Sequence, residues 1–163
     1  MKKAVFLDRD GTLNNNDTNY YISRREDLQL NPGVSEALAG LRSRGFLLIV
    51  ITNQGGIGKG EVGLKEVEAL HSHLRSMLLK QGIYLEEIYI CPHYPTTSTC
   101  LCRKPHPLLI EKAMARFDID PAASWMIGDS RRDVEAGQAA GVRTILIEPN
   151  SDLRQVLEIM DLG

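Results

Sequence analysis

Short apolar runs that stop abruptly at polar residues constrain this chain more than any other feature. Residues 4–8, 46–51, 87–91, 125–128 and 144–147 read as strands. Between them the apolar residues recur at helical spacing, over 33–44, 64–80, 106–117, 132–140 and 152–160. The run from Phe46 to Ile51 is apolar at every position, as a strand buried on both faces must be. The stretch 64–80 places Val67, Leu70, Leu74, Met77 and Leu78 along one helix face. Gly45 and Gly141 supply helix stops, and Pro105 and Pro107 mark the opening of another helix. Alternation of this kind specifies an α/β architecture: a parallel central sheet in three α/β/α layers, Rossmann-like. A length of 163 residues suits one domain over 1–163 with no separate cap. Trp125 opens a strand and is expected in the core.

Ligands of such sheets sit beyond the carboxyl ends of the strands. Here those ends read Asp8-Arg9-Asp10-Gly11-Thr12, Thr52-Asn53-Gln54-Gly55-Gly56, Cys91-Pro92-His93 and Gly128-Asp129. Asp8 and Asp10 are one residue apart, and Asp129 and Asp133 add carboxylate after the fourth strand. Like charges brought together repel unless a cation shares them, and oxygen ligands of this kind suit magnesium. The bland reading is that Asp10-Gly11 makes a turn and that Asp133 caps a helix or braces its loop.

Phosphoryl transfer needs a nucleophile, a proton donor for the leaving oxygen and fixed positive charge. Asp8 has the chemistry of the nucleophile and Asp10 that of the general acid/base. Thr52 and the amides after it are placed to bind phosphate oxygens, and Lys104 supplies a cation. Gly55, Gly56, Gly58 and Gly60 suit either a phosphate cradle or a flexible loop. His71, His73 and His106 read as surface or packing residues.

Cys91 and His93 are followed by Cys100 and Cys102 in a polar, Pro- and Thr-rich loop. Three thiolates and one imidazole complete a tetrahedral structural zinc site, which would fix where Arg103 and Lys104 point. Three buried cysteines with a chance histidine is the alternative, and redox chemistry a weaker one, because the spacing is not Cys-x-x-Cys.

The net charge is −2, with no basic run, so a nucleic-acid partner is not expected. No segment is long and apolar enough to span a bilayer, and the N-terminus carries no export signal. A cytoplasmic location and no membrane partner follow as expectations. No apolar stripe is left over after the helices are assigned, which favours a monomer.

The motifs Asp8-x-Asp10-Gly11-Thr12, Thr52-Asn53-Gln54, Lys104 and Gly128-Asp129-Ser130-Arg131-Arg132-Asp133 resemble, in order, those of the haloacid dehalogenase-like phosphatases. The resemblance spans almost the whole chain. It implies that Asp8 is the nucleophile and Asp10 the acid/base. It also implies magnesium (Mg2+) held by Asp8, a carbonyl at Asp10, and Asp129. The zinc (Zn2+) loop followed by Cys102-Arg103-Lys104-Pro105-His106-Pro107 is similar to the heptose-bisphosphate 7-phosphatases and the histidinol-phosphatases. Within that resemblance Arg103 recognises substrate and Lys104 steadies the phosphoryl group. Asn16, Asp17, Thr18 and Asn19, with Thr52, Asn53, Gln54 and Gly55, would contact a small phosphorylated sugar. The expected reaction is removal of the 7-phosphate of D-glycero-D-manno-heptose 1,7-bisphosphate, in nucleotide-activated heptose biosynthesis. The short loop from His93 to Cys100 keeps histidinol-phosphate hydrolysis as an alternative. A non-catalytic phosphosugar-binding zinc module is the alternative of another class.

Overall fold

The computed structural model describes every residue from Met1 to Gly163. The order of elements is β1 (Lys3–Leu7), α1 (Val34–Ser43), β2 (Phe46–Asn53), α2 (Gly55–Lys59), α3 (Leu64–Leu79), β3 (Glu87–Cys91), α4 (Leu108–Phe117), β4 (Trp125–Gly128), α5 (Arg131–Ala139), β5 (Arg143–Leu146) and α6 (Gln155–Leu162). Short 3-10 turns lie at Arg25–Asp27 and Pro121–Ala123.

The strands form one sheet in the order β3-β2-β1-β4-β5. Every pairing is parallel, with Lys3 opposite Phe46 and Val5 opposite Trp125. Side chains alternate along each strand, so the apolar runs feed two cores. Val5, Leu7, Leu48, Val50 and Ile127 point to the face covered by α1, α3 and α6. Ala4, Phe6, Ile49, Ile51 and Met126 point to the face covered by α4 and α5. Each fully buried Leu, Ile or Phe contributes about 1.5–3 kcal/mol relative to exposure, which is why a continuous apolar strand cannot sit at a surface.

The chain departs from the sequence expectation where local chemistry overrides periodicity. Strand β1 ends at Leu7, so Asp8 lies just past it. Helix α4 starts at Leu108 because a residue preceding proline is driven from helical conformation, and Pro107 takes the cap position after His106. Helix α6 starts at Gln155, after the Asp152 carboxylate accepts from the Arg154 amide at 2.9 Å. Strand β5 is offset by one residue, at 143–146. The glycine-rich stretch after β2 is the short helix α2, with Gly60 in the left-handed conformation (φ 82°) closing it. Trp125 is half-buried, and the Arg143 guanidinium lies 5.2 Å from its ring centroid.

Candidate active site

From β1 the chain proceeds to β2 and β3 on one side of the sheet, then returns to β4 on the other side of β1. The loops after β1 and β4 therefore diverge at the sheet's carboxyl end and leave a crevice. Asp8 and Asp129 enter it from these neighbouring strands, where Leu7 is paired with Ile127. The crevice holds a cavity of about 140 Å³ whose walls include Asp8, Asp10, Asn53, Arg103, Lys104 and Asp129. The turn at Gly11 has φ 83°, and a Cβ there would lie 2.8 Å from the Asp129 carboxyl carbon. Only glycine allows both that conformation and that approach.

Lys104 is the electrostatic hub. Its ammonium donates to Asp8 Oδ1 at 2.8 Å, to Asp133 Oδ1 at 2.7 Å and to the Ile51 carbonyl at 2.7 Å. Those three bonds use all three ammonium hydrogens. Burial works to lower the Lys104 pKa, but Asp8 and Asp133 outweigh it and hold it raised. The backbone of Lys104 is clamped as well. Its N–H donates to Asn53 Oδ1 at 3.0 Å, and its carbonyl accepts from Asn53 Nδ2 at 3.2 Å. Asp133 Oδ2 accepts from the Ser130 amide at 3.1 Å, completing the capping box that opens α5. With one oxygen on Lys104 and the other on the helix cap, Asp133 is a brace.

The carboxylates outnumber the cation. Oxygens of Asp8, Asp129 and Asp133 lie within 4.8 Å of one another around the single Lys104 ammonium. Burial, then Asp8 and Asp133, push the Asp129 carboxyl up to about 8. Such crowding of oxygen ligands fits a hard divalent cation.

Asp10 turns away from that cluster. Its Oδ1 accepts from Arg9 at 2.7 and 3.1 Å and from Asn14 Nδ2 at 3.0 Å. Its Oδ2 accepts from Gln54 Nε2 at 2.9 Å. The same Gln54 nitrogen donates to Thr52 Oγ1 at 2.8 Å, leaving the Thr52 hydroxyl proton free.

The cysteine–histidine set also converges. Cys91 Sγ lies 3.7 Å from Cys100 Sγ and 3.1 Å from Cys102 Sγ, and His93 Nδ1 lies 3.3 Å from Cys102 Sγ. Four ligands around zinc at about 2.3 Å would be spaced at about 3.7 Å, so the donor set fits that ion. Burial and the Cys102 sulfur push the Cys91 thiol up, which a bound cation would reverse.

A family model described as HAD-hydrolase-like matches residues 101–158. The D-glycero-beta-D-manno-heptose-1,7-bisphosphate 7-phosphatase of Haemophilus ducreyi is 41% identical over 149 residues, covering 88% of this chain and 81% of the relative. The chain belongs to the family of HAD-like heptose-bisphosphate phosphatases. The D-glycero-D-manno-heptose-1,7-bisphosphate 7-phosphatase of Chlorobaculum tepidum is 37% identical, over 96% of this chain and 83% of that one. Among solved structures, the D,D-heptose 1,7-bisphosphate phosphatase of B. bronchiseptica, complexed with magnesium and phosphate, superposes with a TM-score of 0.83 at 30% identity. That match covers 96% of this chain and 86% of the other. Relatives of this kind do not favour the histidinol-phosphate alternative drawn from the short loop.

In this HAD-like phosphatase the residues expected from sequence divide into three groups. Asp8, Asp10, Asn16, Asn53, Gly55, Arg103, Lys104 and Asp129 all line the cavity. Thr52 and Gln54 are buried, beneath Asp10. Asp17, Thr18 and Asn19 lie outside the cavity walls, and Tyr20 and Tyr21 stand there instead. Asn150 donates its amide to Asn16 Oδ1 at 3.1 Å and to Asp17 Oδ1 at 2.8 Å, which ties the start of the stretch to the loop after β5 and engages the Asp17 carboxylate away from the cavity. Sequence reasoning also missed Arg9, Asn14 and His71, the shell around Asp10. A signal for His71 existed: it shares the apolar face of α3 with Val67, Leu70, Leu74 and Leu78.

Proposed function

We propose that this chain is a magnesium-dependent phosphomonoesterase that removes the 7-phosphate of D-glycero-D-manno-heptose 1,7-bisphosphate through an aspartyl-phosphate on Asp8. The observation that carries the reading is the Lys104 ammonium fixed between Asp8 and Asp133, with Asp129 beside them at the sheet's switch point. A module that merely bound phosphosugar would not need a carboxylate nucleophile next to a separately held acid.

Asp8 attacks phosphorus, and the bond from phosphorus to the sugar's C7 oxygen breaks. Asp10 gives that oxygen a proton as it leaves. A water then adds to the aspartyl-phosphate, Asp10 takes its proton, and inorganic phosphate is released. Because the Lys104 hydrogens are all engaged by the protein, its charge acts on the transferring group through space and through the orientation of Asp8. Asp8, Asp129 and the Asp10 carbonyl would hold magnesium, which when bound supplies the positive charge that neutralises phosphoryl oxygens. Arg103, whose guanidinium donates to the His93 carbonyl at 3.3 Å, is positioned by the zinc loop to receive the rest of the substrate. Asn16, Asn53 and Gly55 line the same space. The chain acts as one domain and as a monomer in the cytoplasm, within nucleotide-activated heptose synthesis.

Asp8→Asn tests the nucleophile. Turnover of the heptose bisphosphate falls by more than about 10³-fold while the melting temperature stays within a few degrees. Retained turnover overturns the assignment. Kinetics on both anomers beside histidinol phosphate test the substrate, and a higher kcat/KM for histidinol phosphate overturns that part.

A further inference from the structure

Arg9 is fully buried, although its chain neighbours Asp8 and Asp10 both line the polar crevice. Its guanidinium is held on both sides. Nε and Nη2 donate to Asp10 Oδ1 at 3.1 and 2.7 Å, and Nη1 lies 2.9 Å from His71 Nε2. Arginine has only donors, so His71 Nε2 must be the acceptor and the ring proton must sit on Nδ1. Burial, with the Arg9 and Arg75 charges adding to it, lowers the His71 pKa to about 3, so the ring stays a neutral acceptor at ordinary pH.

The consequence falls on Asp10. Its Oδ1 already accepts from Arg9 twice and from Asn14. No lone pair remains there for a transferable proton, which leaves Oδ2, where Gln54 is the single donor. Which oxygen faces the leaving group is thus set by the guanidinium plane, and that plane is set by the histidine on α3. Without an acceptor at position 71, a buried N–H of Arg9 is left unpaired. The guanidinium then turns towards another acceptor and takes the Asp10 carboxylate with it.

We infer that His71 is a positioning residue for proton transfer: through Arg9 it fixes the Asp10 carboxylate so that Oδ2 delivers the proton to the leaving oxygen. The inference rests on the reading of Asp10 as the general acid. It predicts an effect that depends on the leaving group. An alkoxide needs the proton, whereas p-nitrophenolate leaves without it.

The test compares kcat/KM, which reports transfer to Asp8, on the heptose bisphosphate and on p-nitrophenyl phosphate. For His71→Leu the expected loss is about 10-fold on the sugar substrate, a part of what general acid catalysis supplies, with little loss on the aryl ester. His71→Gln, whose carbonyl can accept from Arg9, recovers most of the sugar activity. Equal losses on both substrates, no loss on either, or a Gln variant no better than Leu would each overturn the inference. If His71→Leu does not fold, His71→Gln against His71→Asn decides, since the shorter amide cannot reach Arg9; equal activities sink the idea. Asp10→Asn separates the two levels. If it shows no leaving-group dependence, the acid assignment itself fails. If it shows the dependence and the position-71 variants do not, only the role of His71 fails.

Discussion

At the scale of single residues, Lys104 is the charge that lets three acidic side chains share one crevice. Three carboxylates face one ammonium, and removing it leaves buried charge uncompensated. In chelator, Lys104→Met is expected to lower unfolding free energy by about 3 kcal/mol, and added magnesium to recover part of it, as read by urea denaturation. Asp129 makes a companion prediction in pH. Its carboxyl is raised from 3.8 to about 8, so between those values the folded chain holds a proton that the unfolded chain has released. Stability contributed by that proton is present at low pH and lost as pH rises through the folded pKa. Metal-free protein should therefore unfold at lower urea near pH 8 than near pH 5.5, with the difference shrinking when magnesium is added. An unchanged difference would mean that Asp129 is not in the cation shell.

Among the elements, the two cations that follow the cysteine–histidine loop, Arg103 and Lys104, have different anchors. Lys104 is held by Asp8, Asp133, Ile51 and Asn53, none of which belongs to that loop. The Arg103 guanidinium donates to the His93 carbonyl, inside that loop. Disrupting the cysteine–histidine set should accordingly disturb Arg103 more than Lys104. Cys100→Ser is expected to reduce bound zinc and to raise KM for the bisphosphate by about 10-fold or more, with a smaller fall in kcat. A fall confined to kcat would contradict this division of labour. Helix α2 presses on the same loop: a Cβ at Gly58 would lie 2.7 Å from both the Pro92 carbonyl and the Tyr94 amide. Of the glycines that read as a cradle or a flexible loop, Gly58 is thus explained by close packing of a short helix, and Gly60 by the left-handed turn that ends it. In α3 the apolar spacing is legible in the sequence but the role of the histidine on that face is not, because its partner Arg9 lies in the loop after β1.

Over the whole molecule, two hydrophobic cores of 22 and 12 residues share one sheet. Strand residues such as Val5 and Phe6 belong to opposite cores yet are adjacent in β1. Neither core can be lost without freeing the strands that hold the other. Denaturation in chelator should therefore be a single transition, coincident by far-ultraviolet circular dichroism and by Trp125 fluorescence. Two separated transitions would show that 1–163 is not one cooperative domain. No helix is long and apolar enough to cross a membrane.

Local chemistry written in sequence order was enough to determine the strands, most of the helices, the meeting of Asp8, Asp10, Lys104 and Asp129 around one cavity, and the clustering of Cys91, His93, Cys100 and Cys102. Strand ends in a parallel sheet gather at one edge whatever the loops do, so residues just past each strand meet there. Contacts between side chains on separate loops carry no such rule. Asn150 drawing Asn16 and Asp17 to itself, Asp133 bracing Lys104, and His71 reaching Arg9 all depend on distances that periodicity does not encode. The sequence determined which groups stand at the crevice; tertiary packing decided which oxygen of each is free to act, because hydrogen-bond donors from distant elements occupy the others.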